Sequence, residues 1–283
     1  MDAHRGTSRD DLRLSSRDGT TLLGRSWEPA SPRGVLMIVH GLKDHSGRYE
    51  ELASRLVDRS IAVYAFDLRG HGRSDGLRAW VRRFSEYLED LDEVLRYVRT
   101  QRPKEPLFLF GHSMGGAIAT LYVEERAPPL AGLILSAPAL QRGANISSAV
   151  VAITKLIGTI APHAAVLKLP NEEFSRDPAV VQGMADDPLI SQRPAPARTA
   201  VELLNAMDRI RANVARLQAP LLCLQGTADL RVSPDGSRRL VESVTVPDRT
   251  LKVYPGLYHD LFHEPERAQV EGDLLAWVDA HLR

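Results

Sequence analysis

The chain has 283 residues, and its 36 Lys and Arg balance 36 Asp and Glu, leaving no formal net charge. Without a global basic field it is a poor candidate for binding nucleic acid, and its one cysteine, Cys223, excludes an intrachain disulfide and a multi-cysteine zinc site. With 43% hydrophobic and 25% charged residues it has the makeup of a globular protein that buries a sizeable core.

The first eleven residues are polar and mixed in charge, with no apolar core of a secretion signal, so a cytoplasmic location is expected. Residues 12–16 and 21–27 flank Asp18-Gly19, a hairpin signal that predicts two antiparallel strands. The β-branched run 35–39 is too short for a helix and reads as a buried strand. Residues 49–59 then place Tyr49, Leu52, Ala53, Leu56 and Val57 on one helical face. Strands at 61–66, 107–110 and 133–135 alternate with helices at 84–101 and 114–126. Helices between consecutive apolar strands imply a mainly parallel sheet covered on both faces.

The rhythm breaks after Pro138, and no strand is predicted from 140 to 216. The apolar run 146–167 is interrupted by Lys155, Gly158, Pro162 and His163, which predicts a pair of helices rather than a membrane span. The alternation returns with strands at 221–224 and 250–253, a helix from Ser233 and a last helix ending near His281. The expected architecture is an α/β core of residues 1–139 and 217–283, interrupted by a helical cap, 140–216.

Residues 111–115, Gly-His-Ser-Met-Gly, have the form G-x-S-x-G between a predicted strand and a predicted helix. That placement is what a nucleophile elbow needs, with Ser113 lifted above the strand ends and a helix N-terminus aimed at it. A plain helix cap would also explain a serine there, but not the flanking glycines. A serine needs a base, and the base an orienting acid, which in this architecture follow on loops after later strands. Asp229 follows strand 221–224 and His259 follows strand 250–253, so both are expected at the carboxyl edge of the sheet. Asp235 competes for the acid role but falls in a helix start, where acids are ordinary. His263 stands four residues after His259, without the Glu, the continuous helix or the third ligand cluster of a zinc site. After strand 35–39, His40-Gly41-Leu42 opens a loop, making the Leu42 and Met114 amides the expected oxyanion donors. The glycines of 70–76 lack the dinucleotide spacing, which argues against nucleotide binding.

Six segments together resemble a known family: HGLKDHSGRY (40–49), FDLRGHGRSDG (66–76), GHSMGG (111–116), SAPAL (136–140), GTADLRVSPDGS (226–237) and YPGLYHDLFHEPER (254–267). They are similar to the capped serine hydrolases of the monoacylglycerol lipase and lysophospholipase branch of the α/β-hydrolases. Within the cap, Asp187-Pro188-Leu189 matches as well. The resemblance implies a triad of Ser113, Asp229 and His259, agreeing with the placement above. It further implies that Asp44, Arg48, Tyr49 and His112 help to bind a polar glycerol end.

The expected substrate is a single-chain lipid ester, monoacylglycerol foremost, cleaved without a metal or organic cofactor. General carboxylesterase, lysophospholipase, thioesterase and peptidase chemistry use the same triad, and a non-catalytic ligand receptor would keep the fold alone. Ile153, Leu156, Ile157, Ile160, Val166 and Leu167 are expected to line an acyl tunnel or rest peripherally on membrane, packing within the cap being the competing reading.

Overall fold

A computed structural model describes residues 8–143 and 147–282. Strands β1 (Ser8–Ser15) and β2 (Thr21–Trp27) form the expected antiparallel pair, with Gly19 in its turn at φ +86°. Then come β3 (Gly34–Val39), α1 (Glu50–Val57), β4 (Ile61–Phe66), α2 (Ser85–Gln101), β5 (Leu107–His112), α3 (Met114–Arg126) and β6 (Gly132–Ser136). An insertion carries α4 (Ser148–Ile160), β7 (Ala165–Leu167), α5 (Pro178–Asp186), β8 (Ala195–Pro196) and α6 (Ala197–Asn213). The chain returns to the sheet with β9 (Leu221–Gly226), α7 (Pro234–Ser243), β10 (Arg249–Tyr254) and α8 (Arg267–Ala280).

The main sheet has the order β1-β2-β4-β3-β5-β6-β9-β10, parallel from β4 to β10. Successive strand residues point to opposite faces. Met37 and Val39 of β3 therefore join a core with α2 and α3, whereas Leu36 and Ile38 pack with α1 and α8. Coverage on both faces explains why β3, β4, β5, β6 and β9 are buried throughout. From β3 the chain steps to β4 on one side and later to β5 on the other. Parallel α/β sheets bind ligands where the strand order reverses in this way, which here is the edge above β3 and β5. The fold is that of an α/β-hydrolase.

The insertion differs from expectation in two respects. Residues 146–167 yield one described helix, α4, followed by a strand rather than a second helix. Pro162 in the segment after α4 lacks the amide a helix would need. β7 and β8 pair antiparallel, Leu167 opposite Ala195, where no strand was predicted. Elements of three and two residues, one of them a proline, are too short to leave a period-two pattern. No helix among the described residues is long and apolar enough to cross a membrane.

Candidate active site

Ser113 sits between the end of β5 and the start of α3 at φ 54°, ψ −119°, a conformation that costs a non-glycine residue about 1–3 kcal/mol. Its neighbours are small because backbone crowds them. A Cβ on Gly111 would stand 2.5 Å from the Gly115 carbonyl oxygen, and one on Gly115 would stand 2.1 Å from the Val39 carbonyl oxygen. The second glycine thus admits the end of β3 as well as the turn itself. The Ser113 N–H donates to the Ser136 carbonyl and its own carbonyl accepts from Ala139, fixing the turn.

His259 Nε2 lies 2.8 Å from Ser113 Oγ and His259 Nδ1 lies 2.8 Å from Asp229 Oδ2. The structure therefore brings together the three side chains expected to converge. Asp229 Oδ1 accepts from the Arg231 and Val232 amides, and Oδ2 also accepts from Gln225 Nε2 at 3.0 Å. Burial alone would raise this carboxyl; the imidazole of His259 and those two amides outweigh it and hold it below its ordinary value. An ionised Asp229 leaves the Nδ1 proton on the imidazole and Nε2 free to accept from the serine, the tautomer a general base needs. Asp235, by contrast, lies in the first turn of α7 and pairs with Arg238.

The loop after β3 closes over the serine, so that a methyl at Gly41 would come within 3.0 Å of Ser113 Cβ. Leu42 and Met114 line a cavity of about 370 Å³ that also exposes Ser113 and His259. Met114 is the first residue of α3, where an amide has no intrahelical acceptor. The remaining wall is mainly apolar and comes largely from the insertion: Val150, Val151, Val166, Leu167, Phe174 and Leu204 among others.

Comparison with known proteins gives the chain its family. The family described as serine aminopeptidase, S33, matches residues 30–266. A monoacylglycerol lipase of Mycolicibacterium smegmatis is 36% identical over 98% of this chain and 99% of its own. The chain belongs to this family of α/β-hydrolases. Monoglyceride lipase of Homo sapiens is likewise 36% identical, over 89% of this chain and 84% of its own. The crystal structure of the monoacylglycerol lipase of Paleococcus ferrophilus superposes with a TM-score of 0.82 at 34% identity, covering 91% of this chain and 99% of that one. The protein is a serine-type carboxylic ester hydrolase.

In this hydrolase, Asp44, Arg48, Tyr49 and His112 lie behind the 370 Å³ cavity and do not line it. Asp44 accepts from Tyr49 Oη at 2.8 Å and from the Gly41 amide at 3.4 Å, tying down the loop that carries Leu42. Arg48 bridges Asp44 and Asp260, the residue after His259. Burial would raise both carboxyls; the guanidinium between them prevails and holds both well below their usual range. His112 packs 4.9 Å from the His259 ring and is pushed down to about 4 by burial and by that neighbour, so it stays neutral. Asp44, Arg48 and Tyr49 are thus bound to one another and to Asp260, and His112 Nδ1 lies 3.1 Å from the Ser136 carbonyl. Beyond them, the small space of about 20 Å³ that Asp44 borders also touches Lys43, His71 and Arg193.

Several functional neighbours escape a reading of the sequence. Gln225, which holds Asp229, is itself held by Ser237 Oγ at 2.7 Å, and both are fully buried. A glutamine ending the apolar run of β9, just before the acid's loop, was the available signal. His263 places Nδ1 on Asp260 and Nε2 on the Arg48 carbonyl, in the same network. Cys223 is buried within β9, its thiol pushed up to about 12 by burial, in keeping with a small core residue. The glycine-rich segment 70–76 folds over Asp67, whose carboxylate takes the Arg73 and Ser46 amides. Of the insertion residues expected on an acyl tunnel, Val166 and Leu167 face the cavity. Ile153, Leu156 and Ile160 instead point outward, 58%, 60% and 72% exposed. On its inner side α4 sets Gly158 against Val201 of α6 and presents Val151 and Thr154 to the cavity.

Proposed function

We propose that the protein hydrolyses monoacylglycerol to glycerol and a fatty acid, with residues 140–216 acting as a cap over the core formed by 1–139 and 217–283. His259 Nε2 takes the Ser113 proton as the oxygen attacks the ester carbonyl. The Leu42 and Met114 amides hold the resulting oxyanion. Collapse of the tetrahedral species breaks the bond to the glycerol oxygen, which leaves with the proton from His259. Water, deprotonated by the same imidazole, then releases the fatty acid and restores Ser113. The observation that carries this reading is the unbroken 2.8 Å chain from Ser113 through His259 to Asp229 at the wall of an apolar cavity. A cavity of that size and lining suits one acyl chain.

The exposed face of α4, with Val150 beside Ile153, Leu156 and Ile160, supports peripheral contact with a lipid surface. Arg142 and Lys168 border the same cavity, which favours as a second reading an ester with an anionic headgroup, a lysophospholipid. A panel of monoacylglycerol, lysophospholipid and short p-nitrophenyl esters separates the two. The proposal expects the highest kcat/KM on monoacylglycerol and loss of at least about a thousandfold in Ser113→Ala. A preference for lysophospholipid selects the second reading, and retained turnover in Ser113→Ala rules out both.

A further inference from the structure

One short stretch of the insertion, residues 169–176, touches each of the three loops that carry the site. On the oxyanion side, Lys43 follows Leu42 in a left-handed conformation, φ 62°. Its ammonium donates to the Leu169 carbonyl at 2.9 Å and to the Asn171 side chain. On the acid side, Arg231 gives its amide to Asp229 and its guanidinium to Glu173. On the base side, the Phe174 ring packs edge-on against His259 at 5.6 Å, and the Phe174 carbonyl accepts the Asp260 amide at 2.8 Å. Just beyond, the fully buried Glu264 accepts from Ser175 Oγ, from the Arg176 amide and guanidinium, and from the Tyr258 amide preceding His259.

These contacts differ from those of an acyl wall. Leu169 and Phe174 do present side chains to the cavity, but the stretch spends its polar groups on the loops behind it. Asn171, Phe174 and Ser175 are all buried, though they belong to an insertion. The imidazole of His259 is thereby held between His112 from the core and Phe174 from the insertion. A non-glycine residue kept at positive φ needs such over-determination, and Lys43 receives it from Leu169 and Asn171.

We propose that residues 169–176 form a strap that sets the geometry of the oxyanion loop and of His259, making Lys43 and Phe174 positioning residues for ester cleavage. The inference rests on the triad reading above. The insertion then contributes to the chemical step itself and not only to holding the acyl chain. Misplacement of a reacting group by about 1 Å costs on the order of a hundredfold in rate, and losing one oxyanion donor about 10²–10³, so the strap has room to act.

The test compares p-nitrophenyl acetate, whose acyl group is too short to use the insertion as a wall, with a long-chain monoacylglycerol. Lys43→Met and Phe174→Ala should lower kcat about tenfold or more on both esters, with KM for acetate little changed. Lys43→Arg and Phe174→Tyr, which keep the cation and the ring, should recover most of the loss. Unchanged kcat on acetate, with the defect confined to KM for the long ester, would overturn the strap and leave the insertion as a wall. So would an equal loss in the conservative pair while their thermal midpoints match wild type. Ser113→Ala, assayed alongside, separates the two claims: turnover surviving there defeats the triad, whatever the strap variants do.

Discussion

Individual side chains in this molecule show how burial is offset where chemistry needs it and left uncompensated where it does not. Asp229 is buried yet ionised, because three hydrogen-bond donors and an imidazole surround it. Glu124 on α3 is the opposite case: it is 4% exposed, and neither carboxylate oxygen has a hydrogen-bond partner. Burial first, and Glu125 second, raise it to about 8, against the weaker pull of Arg216 and Arg209. The unfolded chain ionises this group at its ordinary value of 4.5, whereas the folded chain resists until about 8. In that window the unfolded state binds fewer protons, so stability falls as pH rises through it. Glu124→Gln should therefore raise the thermal midpoint at pH 8 by about 3 °C or more and change it little at pH 4.5. Differential scanning fluorimetry at the two pH values checks this, and a gain of equal size at both would contradict the assignment. The sequence does not disclose Glu124, since a glutamate near the end of a helix reads as solvated until a neighbouring element covers it. Gln225, Ser237 and Glu264 are hidden for the same reason: each needs a partner distant in the chain.

Elements were legible in proportion to their length and period. The inner strands β3, β4, β5, β6 and β9 carry apolar runs of three to six residues and α1 and α2 carry clear stripes, so their order followed from the sequence. Ser113, Asp229 and His259 could be placed because each stands on the loop after a predicted strand, and the glycine spacing around Ser113 marks a turn that few other residues tolerate. Within the insertion the signal weakens, because β7 and β8 span three and two residues. α4 illustrates the remaining ambiguity: its apolar residues suit a tunnel, a core or a lipid surface equally well, and only packing against α6 decides which of them face inward. The outward set gives a prediction at this scale. Replacing Ile153, Leu156 and Ile160 together by serine should weaken binding to phosphatidylcholine vesicles by about tenfold or more. Turnover of a soluble p-nitrophenyl ester should stay as in wild type. Co-sedimentation measures the first and a colorimetric assay the second; undiminished vesicle binding would remove α4 from the lipid contact.

At the scale of the whole molecule, the reversal of strand order between β3 and β5 places Ser113 and the loop carrying Leu42 side by side. Later strands bring Asp229 and His259 to the same edge from sequence positions more than a hundred residues away. The insertion leaves the sheet after β6, so it arches over that edge and meets all three loops through residues 169–176. Fold and site are one arrangement: the sheet supplies positions, and the loops and insertion lock the side chains into them. The central claim is that this convergence activates Ser113. The most direct measurement is peptide mass spectrometry after brief exposure of the purified protein to a fluorophosphonate. The account predicts a single adduct on Ser113, formed about a hundredfold or more slowly in His259→Ala. An unmodified Ser113, or one that reacts just as fast without His259, would contradict it.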